Sequence, residues 1–315
     1  MSDASDAAKQ ELPRQGCCAI IGEPNVGKST FLNRVLDHTL AITAPIPGTT
    51  RVCLRGNWLQ AEPPTSIAFL DTPGMAKPKH ALDSYMLQQV YDGLAQSDVW
   101  LWIVATSSAY QAERAAKIAQ STLAQRIQKG NCPLVIAINK VDTLRDKSQL
   151  LPWIQFYQDT FNPIAVMPIS ARSGNGIDEL LALLRNELPT VTKLDDDEAL
   201  SNRPMRFFAA EIIREACLQQ LRDELPYGIG VYIERYTQED QRLHIAATLV
   251  VNKESHKRMV IGRQGQCIKS IGTQARKQLE GMAGQKVNLR VWVKVINEWV
   301  HDAARSAHIA EGDAP

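Results

Sequence analysis

The chain divides by the rhythm of its apolar positions. Between residues 16 and 190, short unbroken apolar runs at 17–21, 67–70, 99–104 and 134–138 alternate with stretches of helical spacing. Unbroken runs of this length belong to strands covered on both faces, and such sheets are mostly parallel. Helical patterns fall near 30–36, 82–96, 109–128, 148–160 and 177–187. Together they predict a doubly wound α/β domain. Trp100 and Trp102, two apart on one strand, are expected in its core and not on a binding platform.

A second rhythm follows. A helix at 206–224, strands at 230–235 and 243–251 joined by a polar turn at 237–240, helices near 254–261 and 266–280, and a strand at 287–294 predict a smaller α+β unit. The segment 191–205 is acidic, then turn-rich, and reads as a linker. Residues 1–15 read as a disordered tail and 301–315 as a C-terminal tail, leaving domains at 16–190 and 206–300. No internal repeat is found.

Composition changes this picture little. Of 315 residues, 44% are hydrophobic and 22% charged, ordinary values for a soluble globular protein. The six cysteines, at 17, 18, 53, 132, 217 and 267, form no C-x-x-C pair and have no zinc spacing. Scattered thiols suit a reducing compartment. No apolar run reaches the length of a membrane span. The first nine residues carry Asp3 and Asp6 and resemble neither a secretory signal nor a transit peptide, so a cytosolic protein is expected.

Charge distribution says more than the net +1. From Lys253 to Lys294 there are ten Lys or Arg against two Glu, a local +8 that leaves −7 for the rest of the chain. Within it, Gly262-Arg263-Gln264-Gly265 fits G-x-x-G between two helices. Such a turn can clamp a short single-stranded RNA backbone with N–H groups and a basic side chain. Alone, the turn would read as an ordinary helix–helix connection. The charge gathered around it is what phosphate binding requires.

The most specific stretch is Gly22-Glu23-Pro24-Asn25-Val26-Gly27-Lys28-Ser29-Thr30. It fits the phosphate-binding pattern G-x-x-x-x-G-K-[ST], lies after a strand and opens a helix. Lys28 can reach the terminal phosphates, and the Ser29 hydroxyl can ligate Mg²⁺. Four further stretches follow in order. Thr49-Thr50 lies in a Pro- and Gly-flanked loop and supplies a hydroxyl for Mg²⁺. Asp71-Thr72-Pro73-Gly74 ends a strand; Asp71 can hold Mg²⁺ through water, and the Gly74 N–H can meet a γ-phosphate. In Asn139-Lys140-Val141-Asp142, the carboxylate of Asp142 can accept both donors on the guanine edge. Ser170-Ala171-Arg172 can close over the base. Taken singly these are weak signals; in this order they point to a guanine-nucleotide switch.

Residues 16–190 resemble the translation-factor-like GTPases. That resemblance implies GTP/GDP as ligand and Mg²⁺ as cofactor. It implies a nucleotide site built from Gly22, Asn25, Val26, Gly27, Lys28, Ser29, Thr30, Asp71, Asn139, Lys140, Asp142, Ser170 and Ala171. Lys28, Thr50 and Gly74 are the expected catalytic groups, and Ser29 and Thr50 the direct Mg²⁺ ligands, with Asp71 acting through water. Met75 stands where a water-orienting glutamine is found in Ras-type enzymes, and it cannot act as base or water ligand. Relatives with that feature use an Asn in the phosphate loop, here Asn25, to hold K⁺ together with Thr49 and the carbonyls of Ala44 and Ile46. The alternative, Asn25 as a plain turn residue, is equally open.

The second unit, in the order helix, strand, strand, helix, helix, strand, resembles a type II KH domain. Its flanks, including 210–215, 224–227, 231–234 and 291–295, resemble the Era family of GTPases, and the likeness covers about 16–300. It implies an enzyme that hydrolyses GTP. It implies binding of 16S-type small-subunit ribosomal RNA near its 3′ end through Gly262, Arg263, Gln264, Gly265 and Lys269, during subunit assembly. A monomer is expected, and a peripheral membrane contact is left open. The sequence departs from the family at Val52, where a polar residue is more usual, at Ala105-Thr106, where an Asp is usual, and at 188–204, which matches loosely. The rival readings are a related RNA-modification or assembly GTPase, a non-hydrolysing RNA-binding module, and a P-loop kinase, for which Asn139–Asp142 would have no job.

Overall fold

The computed structural model describes residues 11–43, 48–75, 78–105, 111–195, 199–221 and 228–315. The first unit runs β1 (Arg14–Ile21), α1 (Lys28–Leu36), β2 (Leu54–Gln60), β3 (Thr65–Asp71), α2 (Ala81–Ala95), β4 (Val99–Ala105), α3 (Ala112–Ala119), α4 (Thr122–Lys129), β5 (Leu134–Asn139), α5 (Leu150–Phe161), β6 (Ala165–Pro168) and α6 (Ile177–Glu187). Its sheet has the order β2-β3-β1-β4-β5-β6, parallel throughout except for the edge pair β2–β3. Alternate residues of the inner strands go to opposite faces. Ile20, Leu101 and Val135 join Phe31 and Leu32 of α1 and Leu180 and Leu184 of α6. Ile21, Trp102 and Ile136 join Val90 of α2, Leu123 of α4 and Trp153 of α5. This is the expected doubly wound domain. Trp100 and Trp102, 5% and 2% exposed, are core residues.

The edges depart from expectation. β1 starts at Arg14, inside the segment read as a tail, because Arg14 and Gln15 pair with Thr65 and Ser66 of β3. Their polarity hid the strand. β2 was not expected; its Arg55, Gly56 and Asn57 break the apolar run, and the antiparallel edge needs only one buried face. The helical pattern at 109–128 is two helices, and the Ser121 hydroxyl caps the second by accepting from Ala124 N at 3.1 Å. Residues 109 and 110 lie outside the described residues.

The second unit runs α7 (Met205–Gln220), β7 (Gly230–Glu239), β8 (Arg242–Val251), α8 (Glu254–Ile261), α9 (Gln266–Ala283) and β9 (Lys286–Val295). β8 is central, antiparallel to β7 and parallel to β9. Order and topology are those of a type II KH domain. The hairpin turn is two residues, Asp240 and Gln241, with φ of 48° and 59°. The expected turn at 237–240 is corrected, because Thr237 and Gln238 still pair with His244 and Leu243. α7 ends at Gln220; the rest of the expected helix at 222–224 lies outside the described residues.

Two segments expected to be loose are tied down. In the linker, Leu200 O accepts from Asn57 N at 3.0 Å and the Ser201 hydroxyl donates to Arg55 O at 2.7 Å, so the chain lies along the β2 edge. Residues 196–198 lie outside the described residues. The expected C-terminal tail carries α10 (Ala303–Ala310), with Ile309 and Ala310 buried. It docks because Trp299, Ile309, Tyr232 and Val250 belong to the same apolar cluster as the first domain's core.

Candidate functional site

The phosphate loop joins β1 to α1, which opens at Lys28 and turns its N-terminus toward the loop. Gly27 has φ 103°, and a Cβ there would meet Asn139 Nδ2 at 2.2 Å, so only glycine satisfies both backbone and space. The Lys28 ammonium is buried and donates to the carbonyls of Gly22 at 3.2 Å and Glu23 at 3.1 Å. Burial pulls it down to about 8, against the attraction of Asp71 and Glu23. A phosphate seated in the loop restores the charged form.

Ser29 Oγ donates to Asp71 Oδ2 at 2.7 Å and lies 3.0 Å from Thr50 Oγ1. Burial pushes the Asp71 carboxyl up to about 6, with the Lys28 charge as the main counterweight. Asp71 Oδ1 is buried with no partner among the described residues. Two hydroxyls and a carboxylate with an unused oxygen form an oxygen-only set that fits Mg²⁺. Asn25, Lys28, Ser29, Thr50, Gly74 and Lys140 line one cleft of about 830 Å³, open enough for a nucleotide. Gly22 and Val26 complete the loop, and Thr30 also lines the cleft. Met75 N donates to Gly22 O at 3.2 Å, and its side chain packs on the cluster of Trp102 and Tyr157. Asn25 has φ 62° and shares the cleft with Thr49. Ala44 and Ile46, the other expected K⁺ ligands, lie outside the described residues.

The base end is tied by side chains. Asn139 donates to Val26 O at 2.8 Å and accepts from Ala171 N at 2.9 Å, so it holds three loops together. The buried Ser170 hydroxyl donates to Asp142 Oδ1 at 2.6 Å, leaving Oδ2 without a hydrogen bond among the described residues. Lys140, with φ 68°, donates to Asn25 O at 2.5 Å.

The other candidate lies in the second domain. Gly262-Arg263-Gln264-Gly265 joins α8 to α9, with Arg263 and Gln264 exposed. Gly262 has φ 73°, and a Cβ there would sit 2.7 Å from the Cys267 Cβ. Gln264 is left-handed at φ 49°. Gly265 is the N-cap of the 18-residue α9, and exposed Lys269 lies in its first turn. The turn thus presents backbone donors, a helix N-terminus and two cations on one exposed corner.

Comparison with known proteins decides the family. A model described as "50S ribosome-binding GTPase" matches residues 17–140, and a KH-domain model matches residues 224–300. The protein called GTPase Era in Pseudomonas entomophila is 38% identical over 302 residues, covering 95% of this chain and 97% of that one. The chain belongs to the Era family of GTPases. GTPase Era of Lacticaseibacillus paracasei is 38% identical over 285 residues, covering 90% of this chain and 92% of its own length. A crystal structure of a variant Era of Aquifex aeolicus bound to GDP and AlF₄⁻ is similar with TM-score 0.86 and 33% identity, covering 95% of this chain and 99% of that one. An Era structure in complex with MgGDPNP and nucleotides 1506–1542 of 16S ribosomal RNA matches with TM-score 0.87, 32% identity and the same coverage. Family membership makes the chain a GTPase with a KH domain.

Sequence reading missed several residues around these sites. Arg34 of α1 donates to Arg172 O and, at 3.4 Å, to Ala171 O, supporting the loop that faces the base. Arg51, Arg214 and Glu215 gather where the two domains meet. A lone Arg on a helix carries no pattern, and only the folded chain brings these together.

Proposed function

We propose that this chain is a GTP-hydrolysing switch that holds single-stranded RNA near the 3′ end of small-subunit ribosomal RNA and acts in small-subunit assembly. One observation carries the reading: a phosphate-loop cleft with an oxygen-only set at Ser29, Thr50 and Asp71, and a basic G-x-x-G corner, occur in one chain on separate domains. In the cleft, the N–H groups of the loop from Asn25 to Thr30 and the Lys28 ammonium bind phosphates. Ser29, Thr50 and Asp71 would hold Mg²⁺ with their oxygens. Asp142 selects guanine, and the Gly74 N–H meets the γ-phosphate. Lys28, with Mg²⁺ when bound, would supply the charge stabilisation that phosphoryl transfer needs. Gly262 to Gly265 clamp the RNA backbone, with Arg263 and Lys269 on its phosphates. Met75 leaves water positioning to other groups, and K⁺ held by Asn25 supplies one answer. We take the protein to act as a cytoplasmic monomer. No helix among the described residues is long and apolar enough to cross a membrane.

Crosslinking the GTP-loaded protein to RNA in cells, followed by sequencing, tests the RNA assignment. Reads concentrated at the 3′ end of small-subunit ribosomal RNA support it. Reads concentrated on another RNA transfer the function to a related assembly or modification enzyme.

A further inference from the structure

The loop that carries Thr50 is held by the second domain. Arg214 lies on α7, 2% exposed, and its guanidinium donates to Glu211 Oε1 at 2.7 Å and Oε2 at 2.6 Å. That bidentate pair fixes the guanidinium plane. The same Nη2 donates to the carbonyl of Thr49, the residue before Thr50. One residue along, Glu215 Oε1 accepts from Thr43 N at 3.1 Å. The Arg51 guanidinium, next after Thr50, lies 5.5 Å from the Trp299 ring centroid. Both ends of the loop are therefore gripped from α7, and its last residue is stacked on an aromatic ring beyond β9.

Between these grips, Thr50 Oγ1 lies 3.0 Å from Ser29 Oγ, at the position assigned above to a Mg²⁺ ligand. Among the described residues of this stretch, Thr43 is exposed and Gly48, Thr49 and Thr50 are half-buried, so none of them is anchored by an apolar side chain of its own. The grips are buried and charge-assisted, which makes them strong for their number. Glu215 is also joined to α9: Gln278 donates to its Oε2 at 3.4 Å. Gln278 stands twelve residues into α9 from the RNA-facing turn, about 18 Å along a rigid helix at 1.5 Å per residue.

The geometry points to Arg214 and Glu215 as positioning residues for GTP hydrolysis, holding the Thr49–Thr50 backbone so that the Thr50 hydroxyl meets Mg²⁺. This rests on the cleft being the nucleotide site. Neither side chain lines the cleft. Their loss therefore acts on Mg²⁺ coordination and on the chemical step, and leaves nucleotide binding through the phosphate loop intact. Displacing a catalytic ligand by about 1 Å can cost on the order of a hundredfold in rate.

The test uses the full chain in three variants, Arg214→Met, Glu215→Leu and Glu215→Gln. The readouts are kcat for GTP, the Mg²⁺ concentration giving half-maximal rate, and GDP affinity in EDTA. Arg214→Met and Glu215→Leu are expected to lower kcat by about tenfold or more and to raise the Mg²⁺ requirement severalfold, with GDP affinity unchanged. Glu215→Gln keeps an oxygen for Thr43 N and is expected to recover most of the rate lost by Glu215→Leu. If Arg214→Met fails to fold, the Glu215 pair alone decides the question. Parental kcat and parental Mg²⁺ dependence in Glu215→Leu overturn the proposal, and so does equal loss in Glu215→Leu and Glu215→Gln. Lys28→Ala separates this from failure of the site itself. If that variant binds GDP as well as the parent, the nucleotide site lies elsewhere.

Discussion

The Ser170 hydroxyl donates to Asp142 Oδ1 at 2.6 Å, so the carboxylate is oriented by one oxygen and offers the other. Each carboxylate oxygen has two acceptor sites, so Oδ2 and the remaining site on Oδ1 can together take the two donors on the guanine edge. Asp142→Asn replaces an acceptor with a donor. The expected outcome is a loss of GTP affinity by about a hundredfold or more and a gain for xanthosine triphosphate, whose 2-oxo group accepts from the new amide. Competition binding with both nucleotides checks this. A variant that keeps parental GTP affinity removes Asp142 from the base site.

Lys28 predicts a proton linkage. Its ammonium titrates near 8 in the free protein because burial disfavours the charge. Phosphate beside it favours the charged form and returns the pKa toward the ordinary 10.5. Between those values the free lysine is largely neutral and the bound one protonated, so GDP binding takes up protons. Calorimetry without Mg²⁺, in two buffers of different ionisation enthalpy, should show an uptake at pH 9 that fades toward pH 7. Lys28→Met should abolish the uptake. An uptake of the same size at pH 7 and pH 9 contradicts the assignment.

Most of the architecture was legible because its strands are unbroken apolar runs and its loops carry fixed-spacing glycines. The first-domain helices at 82–96, 148–160 and 177–187, and α8, α9, β8 and β9 of the KH unit, lie where periodicity put them, whereas β7 runs on to Glu239. β2 escaped because an antiparallel edge strand alternates and carries Gly56 and Asn57. α10 escaped because its short, small-residue sequence has meaning only against Trp299 and Tyr232. In the cleft, residues of fixed motifs were readable one by one. Arg34, Arg214 and Glu215 were not, since each acts on a backbone group far away in sequence.

Trp299 closes the seam between the domains. It is fully buried, donates from Nε1 to Gly228 O at 3.1 Å, and lies against Arg51. Trp299→Ala leaves a large cavity, an unpaired carbonyl and an Arg without its ring. The expected cost is about 3–5 kcal/mol, read as a lower urea midpoint. Trp299→Phe should retain more than half of that. A midpoint unchanged by Trp299→Ala shows that the C-terminal helix is not docked in solution.

Asn25 gives a salt test. If it holds a monovalent cation at the β- and γ-phosphates, turnover is faster in K⁺ than in Na⁺ at equal ionic strength. Asn25→Ala should erase the difference while GDP affinity stays. Equal parental rates in the two salts leave Asn25 as a turn residue with φ 62°.

The central claim is a division of labour, with GTP in the first domain and RNA on the exposed turn of the second. Replacing Arg263 and Gln264 together by Asp puts two negative charges where phosphates sit and removes one cation. Both side chains are exposed, so the fold should be little affected. The decisive measurement is binding of a 3′-end small-subunit ribosomal RNA oligonucleotide and of GTP to the parent and to this double variant. RNA affinity should fall by about a hundredfold or more, while GTP affinity without RNA stays at the parental value. Parental RNA affinity in the double variant, or GTP affinity lost together with RNA affinity, contradicts the account.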